Sequence, residues 1–233
     1  MLMRAWSVAA LVALWSGLAQ ADASLAVCFN YSCAATATVR FEPQRLEAVR
    51  AVLAAASAAA AERAALARAV GLLYRVAGEQ SPIIADRGGN YLDEGVDGRM
   101  DCIDHSTTTT RLLELVEARG WLRFHRVLAP ARRTRFVFQH FSAVIEEIEA
   151  PPAVPVPPAA APVPDHVAVL LALCDCPDVL DDIPRPPPAA PPAPNPTQAG
   201  ARFAVDSWFV DHGDPAVVLP LAEWLKGEGP NVQ

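Results

Sequence analysis

Three residues, Cys102, His140 and Asp206, have the types and the chain order of a nucleophilic thiol, its general base and an orienting acid. Cys102 begins a segment with helical spacing, whereas His140 and Asp206 lie in segments whose aromatic and β-branched residues indicate strands. A helix N-terminus presents unpaired N–H groups and a partial positive charge, which favour the thiolate of a cysteine. The backbone N–H of Cys102 would also face a developing oxyanion. The pattern predicts cysteine-dependent acyl transfer.

The strands around His140 and Asp206 would be neighbours in one hairpin if the segment between them were removed. That segment, at about residues 150–200, holds two Pro/Ala-rich runs at 151–164 and 184–196. Their composition is typical of polyproline II or coil and not of a packed core. Insertions are best tolerated at hairpin tips. We therefore predict a proline-rich insertion at a hairpin tip, which leaves His140 and Asp206 side by side.

Hydrophobic periodicity predicts the elements that must position these residues. Residues 43–78 are Ala-rich with apolar residues mostly three or four apart, which predicts two helices or one bent helix with a break at Ser57. A helix carrying Cys102 is predicted over 103–119. The mixture predicts an α+β fold in one domain over residues 22–233. Extended segments are predicted at 27–41, 124–128, 136–148 and 202–210, with a turn or helix at Trp224 and Leu225.

The first 21 residues have the pattern of a secretory signal peptide. Arg4 precedes an apolar stretch over 5–18, and Ala19-Gln20-Ala21 fits a cleavage site. An uncleaved anchor helix is the alternative. The net charge of −7 becomes −8 without residues 1–21, whose only charged side chain is Arg4. An acidic chain without a basic stripe argues against nucleic acid or anionic membrane as the main partner. We expect a soluble protein that is periplasmic or secreted.

If the protein is exported, some of its five cysteines are expected to form disulfides, because an oxidising compartment favours them. Cys28 and Cys33 can pair across a short loop, and Cys174 and Cys176 form a second local couple. These pairings leave Cys102 as the free thiol, although other pairings stay open at the level of sequence.

Two metal sites compete with these interpretations. Cys102-x-x-His105 with Cys174-Asp-Cys176 could supply four ligands to a soft metal, but the spacing matches no strong zinc pattern. The acidic, glycine-rich loop over 86–98 could ligate Ca²⁺, although it does not match an EF-hand and a solvated loop is favoured. The remaining histidines are expected at the surface or at strand ends; they are His125, His166 and His212.

The run GRMDCID at 98–104, the strand around His140 and the run VDSW at 205–208 resemble the catalytic core of the transglutaminase-like superfamily. The most similar branch is the bacterial transglutaminase-like cysteine peptidases, and the resemblance covers roughly 80–148 and 200–226. It implies a papain-like α+β core in which a helix carries the nucleophile Cys102 and an antiparallel sheet carries the base His140 and the acid Asp206. Some relatives bind Ca²⁺ through acids beside the nucleophile, which Asp101 and Asp104 match. The insertion between the His and Asp strands departs from the family pattern.

The leading hypothesis is an exported hydrolase that cleaves peptide or amide bonds of a protein or peptide substrate through a thioester on Cys102, with no required cofactor. A non-catalytic binding module on the same fold is the alternative from another class, and a periplasmic metal-binding protein is a third. A second oxyanion donor has only positional candidates, Gln80 and Asn90. The sequence carries no signal for an oligomeric state.

Overall fold

The computed structural model describes residues 22–89, 91–149 and 198–230. Several predictions therefore concern residues outside the described part of the chain. They are the signal peptide over 1–21, nearly all of the proline-rich insertion, Asn90, His166 and the Cys174–Cys176 couple.

The N-terminal half is a hairpin followed by two helices. Strand β1 (Ala23–Phe29) pairs antiparallel with β2 (Ala35–Phe41), so the extended segment predicted over 27–41 is a two-stranded sheet with a turn at 30–34. Helix α1 (Pro43–Ala54) begins with proline, whose missing N–H is not needed in the first turn. Helix α2 (Ala59–Gly78) follows after a break around Ser57, as predicted. A short 3₁₀ helix covers Pro82–Ala85.

The second half places one helix against a four-stranded sheet. Helix α3 (Cys102–Ala118) precedes strands β3 (His125–Arg135), β4 (Phe138–Glu147), β5 (Arg202–Asp206) and β6 (Val217–Pro220). All neighbours are antiparallel in the order β3-β4-β5-β6, and the short helix α4 (Leu221–Lys226) follows. Helices with two antiparallel sheets confirm the α+β class.

Two predicted strands have different limits. Strand β3 continues past Pro130 to Arg135, because a register shift between Leu128 and Ala131 accommodates a residue that has no N–H to donate to the ladder. Strand β5 ends at Asp206 rather than Val210, and the chain then turns, with the Trp208 N–H donating to Asp206 Oδ1 at 3.2 Å. Asp206 is therefore the last residue of its strand, which is a common place for a functional side chain.

The core lies between α3, α2 and the sheets. Leu112, Leu113 and Val116 on α3 are 1% exposed or less and belong to one buried cluster with α2 and the sheet strands. Burial of each such side chain stabilises the fold by about 1.5–3 kcal/mol. This packing fixes the axis of the helix that begins with Cys102. None of the helices in the described part of the chain is both long and apolar enough to cross a membrane.

The described residues on either side of 150–197 lie at the end of β4 that is far from His140. The Glu147 N–H donates to Ala201 O at 2.8 Å, and the Gly200 N–H donates to Glu147 O at 2.8 Å. His140 lies seven residues earlier along β4, which corresponds to about 23 Å of strand. Backbone hydrogen bonds therefore join the end of β4 to the residues before β5, next to the predicted insertion.

We expect a variant in which a short Gly-containing turn joins Glu149 to Gln198 to fold and to keep the reactivity of Cys102. Its free energy of unfolding should rise slightly, since a shorter loop loses less entropy on closure. The alkylation rate of Cys102 and the urea midpoint, both compared with the full chain, are the measurements. A large loss of Cys102 reactivity in a folded variant would show that residues 150–197 contribute to the site.

Candidate active site

Cys102 is the first residue of α3, and the chain before it caps the helix. The Asp101 side chain accepts hydrogen bonds from the N–H groups of Ile103 and Asp104 at 3.0 and 2.9 Å, and the Asp104 side chain accepts from the Asp101 N–H at 3.2 Å. This reciprocal capping box satisfies three of the N–H groups that a helix start leaves open. The Cys102 N–H has no partner in it, so it stays available to a bound oxyanion.

A disulfide-closed turn packs against the same helix start. Cys28 and Cys33 are bonded, which confirms the predicted pair, and Cys102 is the free thiol of the described residues. Residues 30–33 all have φ between 53° and 65°, in the left-handed region that non-glycine residues rarely adopt. Their backbone donates to the capping carboxylates: Tyr31 N and Cys33 N to Asp104, at 2.8 and 2.6 Å, and Ser32 N to Asp101, at 3.0 Å. The turn therefore holds the helix start in place.

These bonds bear on the Ca²⁺ site expected at Asp101 and Asp104. All four carboxylate oxygens of the pair already accept backbone N–H groups. A cation there would have to replace donors that also hold the capping turn. Burial raises the pKa of Asp104 to about 6, against the lowering effect of the N–H groups of Cys33, Asp101 and Tyr31. The geometry thus gives both acids a structural role, while Ca²⁺ binding stays a prediction.

His140 and Asp206 meet across neighbouring strands, as their predicted hairpin requires. Strand β4 pairs with β5 in a register that sets Ala143 opposite Val205, which makes His140 and Asp206 diagonal neighbours on one face. The His140 Nε2 lies 2.7 Å from Asp206 Oδ2, and Asp206 is 1% exposed. This bond leaves Nδ1 of the same imidazole free to face a reacting group.

Aromatic residues fix this pair on several sides. The His140 ring lies 5.0 Å from the ring of Trp208 and 5.6 Å from that of Trp224. The Trp224 indole N–H also donates to Asp206 Oδ2 at 2.8 Å. Asp206 therefore accepts three hydrogen bonds, counting the Trp208 N–H, and these bonds fix the carboxylate beside the His140 ring.

Cys102 and His140 line the same cavity, whose volume is about 990 Å³. Within the described residues the Cys102 Sγ makes its hydrogen bond to the carbonyl oxygen of Gln139, at 3.9 Å, rather than to the His140 ring. Gln139 is the residue before the histidine, so the thiol already lies beside that strand. Catalytic hydrogen bonds are often long or misaligned without substrate and tighten when it binds.

No family model, curated protein or solved structure matches this chain. The chemistry that this site supports therefore follows from its own geometry.

The resting site holds the protonated thiol, contrary to the expectation that the helix start favours a thiolate. Burial raises the pKa of Cys102 to about 11, and the charges of Asp101 and Asp206 act in the same direction. The N–H groups of Phe141 and of Cys102 itself lower it, but by less. Activation of this thiol therefore requires a base that accepts its proton during attack.

His105 belongs to a buried network of polar side chains, while the metal site predicted for it and Cys102 involves Cys174 and Cys176, which lie outside the described residues. Its Nδ1 lies 2.9 Å from Ser207 Oγ, and its Nε2 lies 3.0 Å from Asp86 Oδ2. Among the described residues, the ligand atoms close enough to share an ion belong to Cys28, Cys33 and Asp104, of which the cysteines are oxidised. His105 thus supports the fold of the segment before α3, because Asp86 also accepts from the Met100 N–H.

Of the other described histidines, His125 is buried and His212 is half-buried. His125 begins β3, as a strand-end residue, but it is 2% exposed and its Nδ1 lies 2.8 Å from the buried Glu62. His212 packs edge-on against Tyr74, and burial lowers its pKa. Both were expected at surface or strand-end positions because their partners, Glu62 and Tyr74, are distant in sequence.

Nothing in the sequence indicates that several residues lie in or beside the cavity. Tyr31 comes from the disulfide turn, Tyr91 from the glycine-rich loop, and Arg133 from the part of β3 that was not predicted as a strand. Trp224, which donates to Asp206, was expected only as an anchor of the C-terminal turn. Gln80, a candidate oxyanion donor, instead bonds to the backbone of Arg40 in β2 and to Val76 in α2. Their roles depend on tertiary contacts that periodicity does not reveal.

Proposed function

We propose that this protein is an exported transglutaminase-like cysteine hydrolase that cleaves peptide or amide bonds through Cys102, His140 and Asp206. One observation carries the proposal: His140, which lies 2.7 Å from the buried Asp206, lines the same cavity as the free thiol of Cys102 at a helix start. The resemblance of residues 98–104 and 205–208 to the family supports it, and the antiparallel sheet that carries His140 and Asp206 is what a papain-like core would have.

The reaction follows from the positions of the groups. His140 takes the proton of the Cys102 thiol as sulfur attacks the carbonyl carbon of the amide. The tetrahedral oxyanion forms near the Cys102 N–H, which the capping box leaves unused. Its collapse breaks the C–N bond, and His140 returns the proton to the departing amine. Water, deprotonated by His140, then attacks the thioester, releases the carboxylic acid and restores the thiol.

Asp206 has two roles in this scheme. Its Oδ2 holds the His140 Nε2, so that the other ring nitrogen is the one that exchanges protons with the thiol. Its charge stabilises the imidazolium that forms after proton transfer. Because the Cys102 pKa is raised to about 11, the base contributes more here than in a preformed thiolate–imidazolium pair. The enzyme would then resemble a serine hydrolase in how it activates its nucleophile.

Export is supported by two features. The chain begins with a signal-like segment over 1–21, and its Cys28–Cys33 disulfide fits an oxidising compartment. A periplasmic or secreted location would give the hydrolase extracytoplasmic protein or peptide substrates.

The test is direct detection of the acyl-enzyme. The protein is incubated with a mixture of short peptides and its intact mass is measured. We expect added masses that map to the tryptic peptide 100–111, whose sole cysteine is Cys102, and that neutral hydroxylamine removes. A Cys102→Ser variant should show no such adduct and no cleaved peptides. Peptide cleavage that persists in the Cys102→Ser variant would refute the assignment.

The binding-module alternative is favoured by one observation, since the thiol bonds to the Gln139 carbonyl in the resting site and not to His140. A module of this kind would bind peptides in the same cavity without an adduct on Cys102. Stoichiometric peptide binding that is equal in the wild type and in Cys102→Ser, with no cleavage in either, is its expected signature.

A further inference from the structure

The cavity around Cys102 carries a charge opposite to that of the chain. Three cationic side chains line it, those of Arg133, Arg135 and Lys226, while the chain as a whole has a net charge of −7. The carboxylate among the lining residues belongs to Asp101, whose oxygens are engaged with the N–H groups of Ile103, Asp104 and Ser32. A second carboxylate, that of Asp206, bonds to the lining residue His140. The three cations outnumber these two acids, so a ligand inside the cavity meets a local excess of positive charge.

Arg133 is a fixed part of the cavity wall. Its guanidinium donates to the carbonyl oxygens of Trp224 and Glu228 and lies over the Trp224 ring at 4.7 Å. Trp224 in turn holds Asp206. Arg133 thus buttresses the His140–Asp206 pair from β3, with its Nη1 held by these two carbonyl oxygens.

Arg135 and Lys226 are different, because they are exposed and form no salt bridge with any other described residue. They come from two different elements, the end of β3 and the end of α4. A methyl group added at Gly227 would lie 3.3 Å from Arg135 Nη1, so this guanidinium lies against the backbone next to Lys226. Two cations that line one cavity without a paired carboxylate attract an anion to it.

The cavity also carries exposed apolar side chains. Tyr91, Leu92 and Phe138 are 68%, 98% and 74% exposed, and all three line the cavity with Trp208. Tyr91 packs edge-on against Trp208 at 4.8 Å, which fixes one of these rings beside His140. Such a surface suits an apolar side chain, while the two cations suit a carboxylate.

We propose that the cavity selects peptides that carry a carboxylate close to the scissile amide, with Arg135 and Lys226 as the residues that contact this carboxylate. The inference rests on the proposed hydrolase function, but the anion preference of the cavity can be measured independently of any cleavage. The carboxylate has two sources, an aspartate or glutamate side chain and a free peptide C-terminus. The charge arrangement is the same for both.

The first measurement uses two alkylating agents of nearly equal size, neutral iodoacetamide and anionic iodoacetate. The ratio of their rates with Cys102, relative to the same ratio for N-acetylcysteine, reports the local field. At low salt we expect the relative ratio to favour iodoacetate by on the order of tenfold, the lower end of the gain from a focused field. About 1 M NaCl, with a Debye length of about 3 Å, should remove most of it.

Variants then assign the effect. The double substitution Arg135→Gln/Lys226→Gln should abolish the preference for iodoacetate, measured as the ratio of the iodoacetate rate to the iodoacetamide rate of the same variant. Arg132→Gln is the matched control, since this exposed arginine is also on β3 but does not line the cavity. A ratio that is the same in the wild type and in the double variant would overturn the proposal, as would an equal loss in the Arg132 control.

The second measurement separates the two carboxylate sources. Peptides that contain glutamate or glutamine at one position, each with a free or an amidated C-terminus, are digested and compared by kcat/KM. A preference for glutamate assigns the side chain, and a preference for the free C-terminus assigns the terminal carboxylate. Equal cleavage of all four overturns the proposal. If none of them is cleaved, the hydrolase function fails, and the alkylation ratio alone decides whether the cavity prefers anions.

Discussion

Substitution of His140 by alanine should lower the rate at which iodoacetamide alkylates Cys102 at pH 7 by on the order of 10²–10⁴-fold, the usual contribution of a general base. The reason is the raised pKa of Cys102, about 11, which leaves almost no thiolate at neutral pH unless a neighbouring base accepts the proton. The measurement is the modified fraction of the tryptic peptide 100–111 over time, which excludes the other cysteines.

The alkylation rate of Cys102 should also depend on pH differently in the wild type and in the His140→Ala variant. Without His140 the thiol should behave as a single group with a raised pKa, so its alkylation rate should rise about tenfold per pH unit from pH 7 and level off near pH 11. The wild type should change far less between pH 7 and 9, because His140 supplies the base. Superimposable profiles for the two proteins would contradict the proposed role of His140.

The second large effect concerns stability. Glu62 on α2 is 0% exposed, and its carboxylate accepts the N–H groups of Arg123 and Phe124 at 2.7 and 2.9 Å and lies 2.8 Å from His125 Nδ1. Glu62→Ala would leave these donors buried without an acceptor. We expect the free energy of unfolding to fall by about 3–5 kcal/mol, the range for removing one partner of a buried pair. Urea titration with a tryptophan fluorescence readout measures it.

Two comparison variants make this result specific. Glu47→Ala removes an exposed glutamate on α1 that pairs with Arg50 at 2.6 Å, and its unfolding midpoint should barely move. Glu62→Gln keeps one acceptor oxygen, so it should lose less stability than Glu62→Ala. A Glu62→Ala protein as stable as the Glu47→Ala protein would show that the buried carboxylate contributes little to the stability of this fold.

The elements that carry Cys102, His140 and Asp206 could be predicted because each of them has a strong local sequence pattern. Cys102 follows an aspartate that caps a helix, and the strands around His140 and Asp206 are rich in aromatic and β-branched residues. The Cys28–Cys33 pair could also be predicted, since five positions of separation permit a short closed turn. Local signals sufficed wherever the partners were close in sequence or lay on paired strands.

What could not be predicted depends on contacts between distant segments. Glu62 and His125 are 63 positions apart, and charged residues are rarely assumed to be fully buried. Trp224 reaches Asp206 from an element that sequence alone described only as a turn or helix. The sign of the Cys102 pKa shift was also missed, because a helix start is visible in sequence whereas the burial that outweighs it is not.

The left-handed turn at residues 30–33 has a consequence for when the proposed hydrolase would become active. The cross-link between Cys28 and Cys33 closes a turn of four unfavourable backbone conformations, and N–H groups of this turn support the start of the helix that begins with Cys102. A newly made chain in a reducing cytosol lacks this cross-link, so the turn and the helix start would be less firmly held. If the chain is exported as we propose, oxidation becomes the last step of its maturation. The synthesising cell would then be spared a fully assembled hydrolase until the chain had left the cytosol.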